Sequence, residues 1–132
     1  MHGLSIAIYA MLAASVLPLF TAGLAKIVGR FQLKDNENPR AFQQQLTGVA
    51  ARINAAQLNS YETLPIFLAA VLTAEYMVVI QPEINSLAWA YVGLRVLYIG
   101  AYAFNLATLR SIIWTAGFFC PLYLFYISAR VG

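Results

Sequence analysis

The stretch RINAAQLNSYE, Arg52 to Glu62, carries an arginine, two asparagines, a glutamine and a glutamate into the apolar run TLPIFLAAVLTAEYMVVI. Arg52, Asn59 and Glu62 stand seven and three residues apart. At about 100° per residue this spacing lays them along one stripe of a helix. A second stretch, LRVLYIGAYAFN, holds Arg95, Tyr98, Tyr102 and Asn105 at intervals of three, four and three. It forms a second stripe. Guanidinium, amide and phenol groups facing one another in an apolar setting can bind an anion, because each offers a directional donor. Other chemistries are excluded. The only histidine is His2, at the N-terminal end, and Cys120 is the only cysteine. A Ser-His-Asp triad, a Cys-His pair, an intramolecular disulfide and a His-based zinc site are therefore not expected. Cys120 lies in GFFCPLYLF, an apolar setting that favours an inert thiol. Catalysis must rest on arginine, tyrosine, asparagine, glutamate or serine, or on a reactive group that a ligand brings.

The elements that carry these stripes are long and apolar. Of the 132 residues 61% are hydrophobic and 10% charged, against about a quarter charged in a soluble domain. The composition predicts one integral membrane domain over residues 1–132. The net charge of +3 comes without a basic cluster interleaved with aromatics, so nucleic acid is not an expected partner. Four apolar segments run over residues 4–28, 48–80, 84–106 and 109–131. Each exceeds the roughly 20 residues that cross a bilayer as a helix. The first is read as a helix rather than a signal peptide, because MHG places no lysine or arginine before the apolar run. Asn38-Pro39 marks a turn in the first loop, and Gln81-Pro82 turns the chain between the second and third segments. Residues 105–110 form the last connection. Short turns make successive helices antiparallel, so the expected fold is an all-α, up-down bundle of four membrane-spanning helices. Pro18 and Pro65 are expected to kink their helices.

Charge placement predicts the orientation. Lys26, Arg30, Lys34 and Arg40 flank or occupy the first loop, with Arg52 just beyond it and Arg110 at the third. The opposite side has only Arg130. The positive-inside rule then puts the first and third loops in the cytoplasm and both termini outside.

Depth suggests which groups meet. Counted from the cytoplasmic boundary, Glu62 and Arg95 each lie about a dozen residues in, or roughly 18 Å. A lone charge at that depth is costly. The expected result is an intramembrane Glu62–Arg95 ion pair, within one subunit or across two. Tyr98, Tyr102, Asn59, Gln57, Arg52 and Arg110 would wall a pocket opening to the cytoplasm. The plainer reading is that these polar groups only join helices through hydrogen bonds. Glu75, near the outer helix end, is expected to snorkel, and Arg30, Lys34 and Arg40 to face lipid headgroups.

RINAAQLNSYETLPIF resembles the signature of the MAPEG family, the membrane-associated proteins in eicosanoid and glutathione metabolism. The family pattern, approximately E-R-x-x-R-A-x-x-N-x-x-E, is met by Arg52, Ala56, Asn59 and Glu62, with Pro65 and Phe67 following. Arg95, Tyr98 and Tyr102 match its R-x-x-Y-x-x-x-Y, and Arg110 matches the arginine that begins the fourth helix. The resemblance implies a homotrimer that binds glutathione between neighbouring subunits near the cytoplasmic face. Arg52, Asn59, Glu62, Arg95, Tyr98 and Tyr102 would hold the tripeptide, with Gln57 in the wall beside them. Arg110 would stabilise the thiolate, since a guanidinium beside a thiol favours the ionised form. Hydrophobic electrophiles or lipid hydroperoxides in the membrane would be the second substrate. The likeness is to short bacterial members, which implies the inner membrane.

The chain also departs from the pattern. Ala55 stands where many glutathione-using members have a second arginine, Ala51 replaces the glutamate before Arg52, and Trp114 replaces a tyrosine found in some members. These departures favour an alternative: a non-catalytic protein of the same fold that binds another anionic ligand or serves as an accessory subunit of a larger membrane complex. A small transporter or channel subunit is a weaker reading, because nothing resembles inverted repeats or broken helices.

Overall fold

The computed structural model describes residues 2–132. They form helices and connecting turns, with no strand among the described residues. Helix α1 spans His2–Val28. A 3-10 turn, Leu33–Glu37, and a short helix α2, Pro39–Gln44, follow it. Helices α3 (Gly48–Tyr76), α4 (Gln81–Ala103) and α5 (Ala107–Val131) complete the chain. The first loop is therefore more ordered than its polar composition suggests. Asn38 caps α2, its side chain accepting from Ala41 N at 3.2 Å. Pro39 follows at a position where a missing N–H costs nothing.

The helix ends differ from the limits read from hydropathy, and backbone hydrogen bonding explains the difference. α1, α3 and α4 each close on a paired motif. The bonds are Phe31 N to Lys26 O at 2.9 Å, Val79 N to Ala74 O at 3.0 Å and Leu106 N to Ala101 O at 2.9 Å. Each is accompanied by a shorter loop bond from the preceding residue. This is the Schellman arrangement, which turns one residue left-handed and satisfies the last carbonyls. The left-handed residues are Arg30, Val78 and Asn105, at φ 60°, 56° and 59°. An apolar run thus continues to Ile80 while its helix stops at Tyr76. α4 begins at Gln81 with Pro82 in its first turn. α1, α3 and α5 run unbroken through Pro18, Pro65 and Pro121.

The long helices pack side by side. α1 lies against α3 and α4, α5 against α4 and α3, and α3 against α4. The seam of α1 is alanine. Ala7, Ala10 and Ala14 are buried, at helical spacing, against a core that includes Phe67, Ala70, Val71, Ala74, Ile84, Ala88 and Tyr91. Small side chains let backbones approach closely, which is how apolar helices gain contact when lipid offers no hydrophobic drive. Ala10→Leu should therefore lower thermal stability by about 1–3 kcal/mol through overpacking. A thermal melt in detergent, followed by circular dichroism, would reveal it, and an unchanged midpoint would mean the seam is loose.

Two helices, Gly3–Val28 within α1 and Ala107–Val131, are long and apolar enough to cross a membrane by composition alone. α3 and α4 are of comparable length, at 29 and 23 residues, but they carry the two polar stripes.

Candidate functional site

Arg95 organises the interface between α3 and α4. It is only 4% exposed. Its Nη2 donates to Asn59 Oδ1 and to Ser60 Oγ, both at 2.9 Å. Ser60 in turn donates to Ala56 O at 3.0 Å, so its lone pairs are free to accept from arginine. Asn59 Nδ2 reaches Glu62 Oε1 at 3.4 Å. The expected direct Glu62–Arg95 pair within one subunit is thus replaced by a relay, with Asn59 between the two. Glu62 is exposed. The 60° advance from Asn59 to Glu62 around the helix carries the carboxylate out of the seam. Ser60 escaped the sequence reading, although its place beside Asn59 was the available signal. So did the next layer up, where Thr63 Oγ1 and Tyr91 OH share a hydrogen bond at 2.8 Å and Tyr91 stacks on Phe67 at 4.1 Å.

From Arg95 a ladder of charge and ring runs toward the α4–α5 turn. The Arg95 guanidinium lies 4.2 Å from the Tyr98 ring centroid. Tyr98 meets Tyr102 edge-on at 5.7 Å. Arg110 lies over Tyr102 at 4.4 Å. The i, i+3, i+4 spacing of α4 produces the first three rungs, and the turn at Asn105 brings Arg110 back onto Tyr102. Cation–π contact holds each guanidinium over a ring while leaving N–H groups for another partner.

Tyr98 and Arg110 of this ladder border a cavity of about 260 Å³, lined also by Asn59, Ser111, Trp114 and Thr115. It adjoins a larger, open groove of about 810 Å³ along α5, from Ala107 to Phe119, which shares Arg110, Ser111 and Thr115. The groove is mostly apolar. Trp114 stacks on Phe118 at 5.1 Å, and its Nε1 is buried without a hydrogen-bond partner. The structure therefore brings together Asn59, Tyr98 and Arg110 in one cavity, with Arg95, Tyr102 and Glu62 in contact behind or beside it.

Arg52 and Gln57 are placed elsewhere. Arg52 Nε donates to Ala103 O at 3.2 Å, tying α3 to the C-terminal end of α4. A cation there also favours the helix dipole. Gln57 is 4% exposed and turned to the other side of α3, 200° from Asn59 around the helix. It lines a second pocket of about 490 Å³ with Lys26, Pro39, Arg40, Gln43 and Tyr61. Its Oε1 has no partner. This rotation sets Gln57 and Asn59 in different pockets of the one chain. Phe31 meets Phe42 edge-on at 4.9 Å, and Lys26 lies over Phe31 at 4.8 Å. These contacts fold α2 back toward α1 and set Arg40 near Lys26 and Gln57.

Among the described residues no group of three or more histidine, cysteine, aspartate or glutamate side chains is placed to hold a metal. The model of the MAPEG family matches the chain over residues 6–130. No curated protein matches it.

Proposed function

The chain belongs to the MAPEG family, and from that premise we propose a membrane-bound glutathione S-transferase or glutathione-dependent peroxidase acting on hydrophobic electrophiles or lipid hydroperoxides. Members of this family are membrane proteins, and α1 and α5 are apolar enough to cross a bilayer. On this reading α3 and α4 cross it too. Asn59, Arg95, Tyr98 and Tyr102 are tolerated because they meet between α3 and α4 rather than in lipid, and Glu62, exposed on a single subunit, would be covered by a neighbouring one. Lys26, Arg30, Lys34, Arg40 and Arg110 then place the first and third loops in the cytoplasm, and both termini outside, in a bacterial inner membrane.

One observation carries the reading. Arg110, half-buried at a polar cavity that adjoins an apolar groove, is linked through Tyr102 and Tyr98 to the buried Arg95 behind that cavity. The donor set suits glutathione, whose carboxylates need guanidinium and amide donors and whose thiol needs a cation. Arg95 Nε is buried without a partner, which leaves the cation short of an acceptor. Bound glutathione would supply a nucleophilic sulfur for an electrophilic carbon or a hydroperoxide oxygen. Arg110 holds the sulfur ionised. Asn59 and Arg95 position the peptide, Tyr98 and Tyr102 keep both guanidinium groups in place, and the α5 groove admits the apolar substrate from the lipid.

A homotrimer gives the second pocket a role. In a cyclic assembly each interface joins two different faces of the subunit. The Lys26–Arg40–Gln57 pocket on one side of α3 would then face the Asn59–Tyr98–Arg110 cavity of the neighbour. Gln57, Lys26 and Arg40 would complete the anion site from across the interface, and Gln57 Oε1 would find its donor.

The test is a titration of glutathione into the detergent-purified protein, following thiolate absorbance, with the assembly's mass determined in parallel. A saturating thiolate signal on a trimer is expected. A second reading, the non-catalytic or accessory protein, is favoured by the engagement of Arg52 with Ala103 O and by Ala55, which offers no second guanidinium. A stable oligomer that shows neither binding nor thiolate would establish that reading and end the enzymatic one.

A further inference from the structure

The turn between α3 and α4 is inside out for a segment in water. Val79 joins the core, with Met77 packed against it, but three large apolar side chains point outward: Tyr76 is 85% exposed, Val78 83% and Ile80 67%. Three of the turn's polar side chains, Glu75, Gln81 and Asn85, are half-buried and meet one another. Gln81 Nε2 lies 2.7 Å from Glu75 Oε2, 2.9 Å from Asn85 Oδ1 and 3.3 Å from Gly3 O. All three contacts bind the turn to the start of α1 and to its own flanks. A polar turn in water would present these groups to solvent and bury the others.

The backbone adds a second, independent observation. The left-handed position of a Schellman motif is normally glycine or asparagine, because a β-branched side chain is strained there. Asn105 serves at the end of α4, and Arg30 at the end of α1. At the α3–α4 turn the residue is Val78, with φ 56° and an exposed side chain. Nothing in the fold uses the valine side chain, since it makes no part of the core.

The surroundings continue the pattern. Gly3 and Gly132 lie beside this turn, against Gln81 and Met77, so the start of α1 and the end of α5 are at the same pole. Leu4 and Val131 are exposed there as well. The exposed apolar side chains of the turn therefore sit at the same pole as exposed apolar ends of α1 and α5, the two helices apolar enough to lie in a bilayer. Glu83 and Arg130, also exposed at this pole, are long enough to reach headgroups from just below them.

From these placements we infer that the α3–α4 turn is a lipid-immersed wedge. Tyr76, Val78 and Ile80 are inserted into the interfacial layer of the outer leaflet instead of protruding into water. The inference rests on the membrane-spanning reading of α3 and α4 above. It assigns this pole a lipid partner and explains why the turn keeps valine where glycine or asparagine would be less strained. Tyrosine at the rim suits the headgroup level.

The experiment places an environment-sensitive fluorophore at Val78→Cys, in a Cys120→Ser background, in phosphatidylcholine–phosphatidylglycerol vesicles. Asn36→Cys, in the polar first loop, is the water control, and Leu97→Cys, on the outer face of α4, reports whether that helix spans. The expected result at position 78 is blue-shifted emission. Quenching should be stronger by lipids spin-labelled near the headgroup than by lipids labelled deep in the chain, and iodide quenching several-fold weaker than at position 36. Ile80→Cys repeats the measurement if Val78→Cys does not fold. Iodide quenching at 78 equal to that at 36, with position 97 protected, would overturn the wedge and leave the spanning reading intact. Iodide access at 97 as well would overturn the spanning reading itself. Protection at 78 from both iodide and spin-labelled lipid would mean that protein, a second copy or another chain, covers the turn, and would also overturn the inference.

Discussion

Replacing Arg110 by alanine is expected, on the proposed glutathione-dependent function, to abolish the thiolate signal and to reduce turnover by about 10²–10³-fold, the usual effect of removing one donor that stabilises developing charge. The geometry makes the expectation specific. Arg110 stands at the start of α5, half-buried, with its guanidinium over the Tyr102 ring at 4.4 Å and its edge on the cavity shared with Asn59 and Tyr98. A cation at such a site acts through a dielectric well below that of water, so its effect on a neighbouring thiol is large. Little of the fold depends on it. The Arg110→Ala protein should keep its helical content and its oligomer, and glutathione binding should weaken far less than turnover. Arg110→Lys should recover part of the signal, because charge is retained while the guanidinium contact with Tyr102 is lost. Full activity in the alanine variant would remove Arg110 from the chemistry and return the site to the accessory reading.

The second large effect is expected at Asn59. Asn59→Leu removes one of the two recorded acceptors of the buried Arg95 Nη2 and breaks the relay to Glu62. Hydrogen bonds to a charged group contribute about 1.5–3 kcal/mol, and that loss should appear as a lower melting temperature. Glutathione affinity should fall at least tenfold, or about 1.4 kcal/mol, because Asn59 also lines the cavity. A double variant decides whether the cause is the orphaned charge. Removing a buried ion together with its partner is often neutral, whereas removing the partner alone is costly. Asn59→Leu/Arg95→Met should therefore melt higher than Asn59→Leu alone while still failing to bind glutathione. Additive losses in the double variant would show that Asn59 and Arg95 act independently, and the relay would have to be abandoned.

These two expectations differ in how far they could be read from the chain alone. Arg110 was legible as a candidate because its motif lies at the head of an apolar helix, and the resemblance supplied its role. Arg95, Tyr98 and Tyr102 were legible as a stripe because helical periodicity places residues three and four apart on one face whatever surrounds them. Ser60 and Tyr91 were not, since nothing in their local pattern separates a serine or tyrosine that packs from one that binds a neighbour. The limits of α3 were also misread. Hydropathy continues through Val78 to Ile80, but the helix closes where Val79 N finds Ala74 O, a backbone event that an apolar side-chain pattern does not record.

By itself, the sequence determined the all-helical class, the family, the two polar stripes and the lone arginine at the head of α5. Composition, period and motif are local properties, carried by each segment wherever it docks. Tertiary structure alone decided partners. Arg95 bonds Asn59 and Ser60 rather than Glu62, Arg52 closes the end of α4, and Gln57 turns toward Lys26 and Arg40. Glu62 and Asn59 lie within one helical turn, so an argument from depth cannot separate them. The rotation of α3 about its own axis does, and that rotation is set by how its alanine and phenylalanine face packs against α1 and α4.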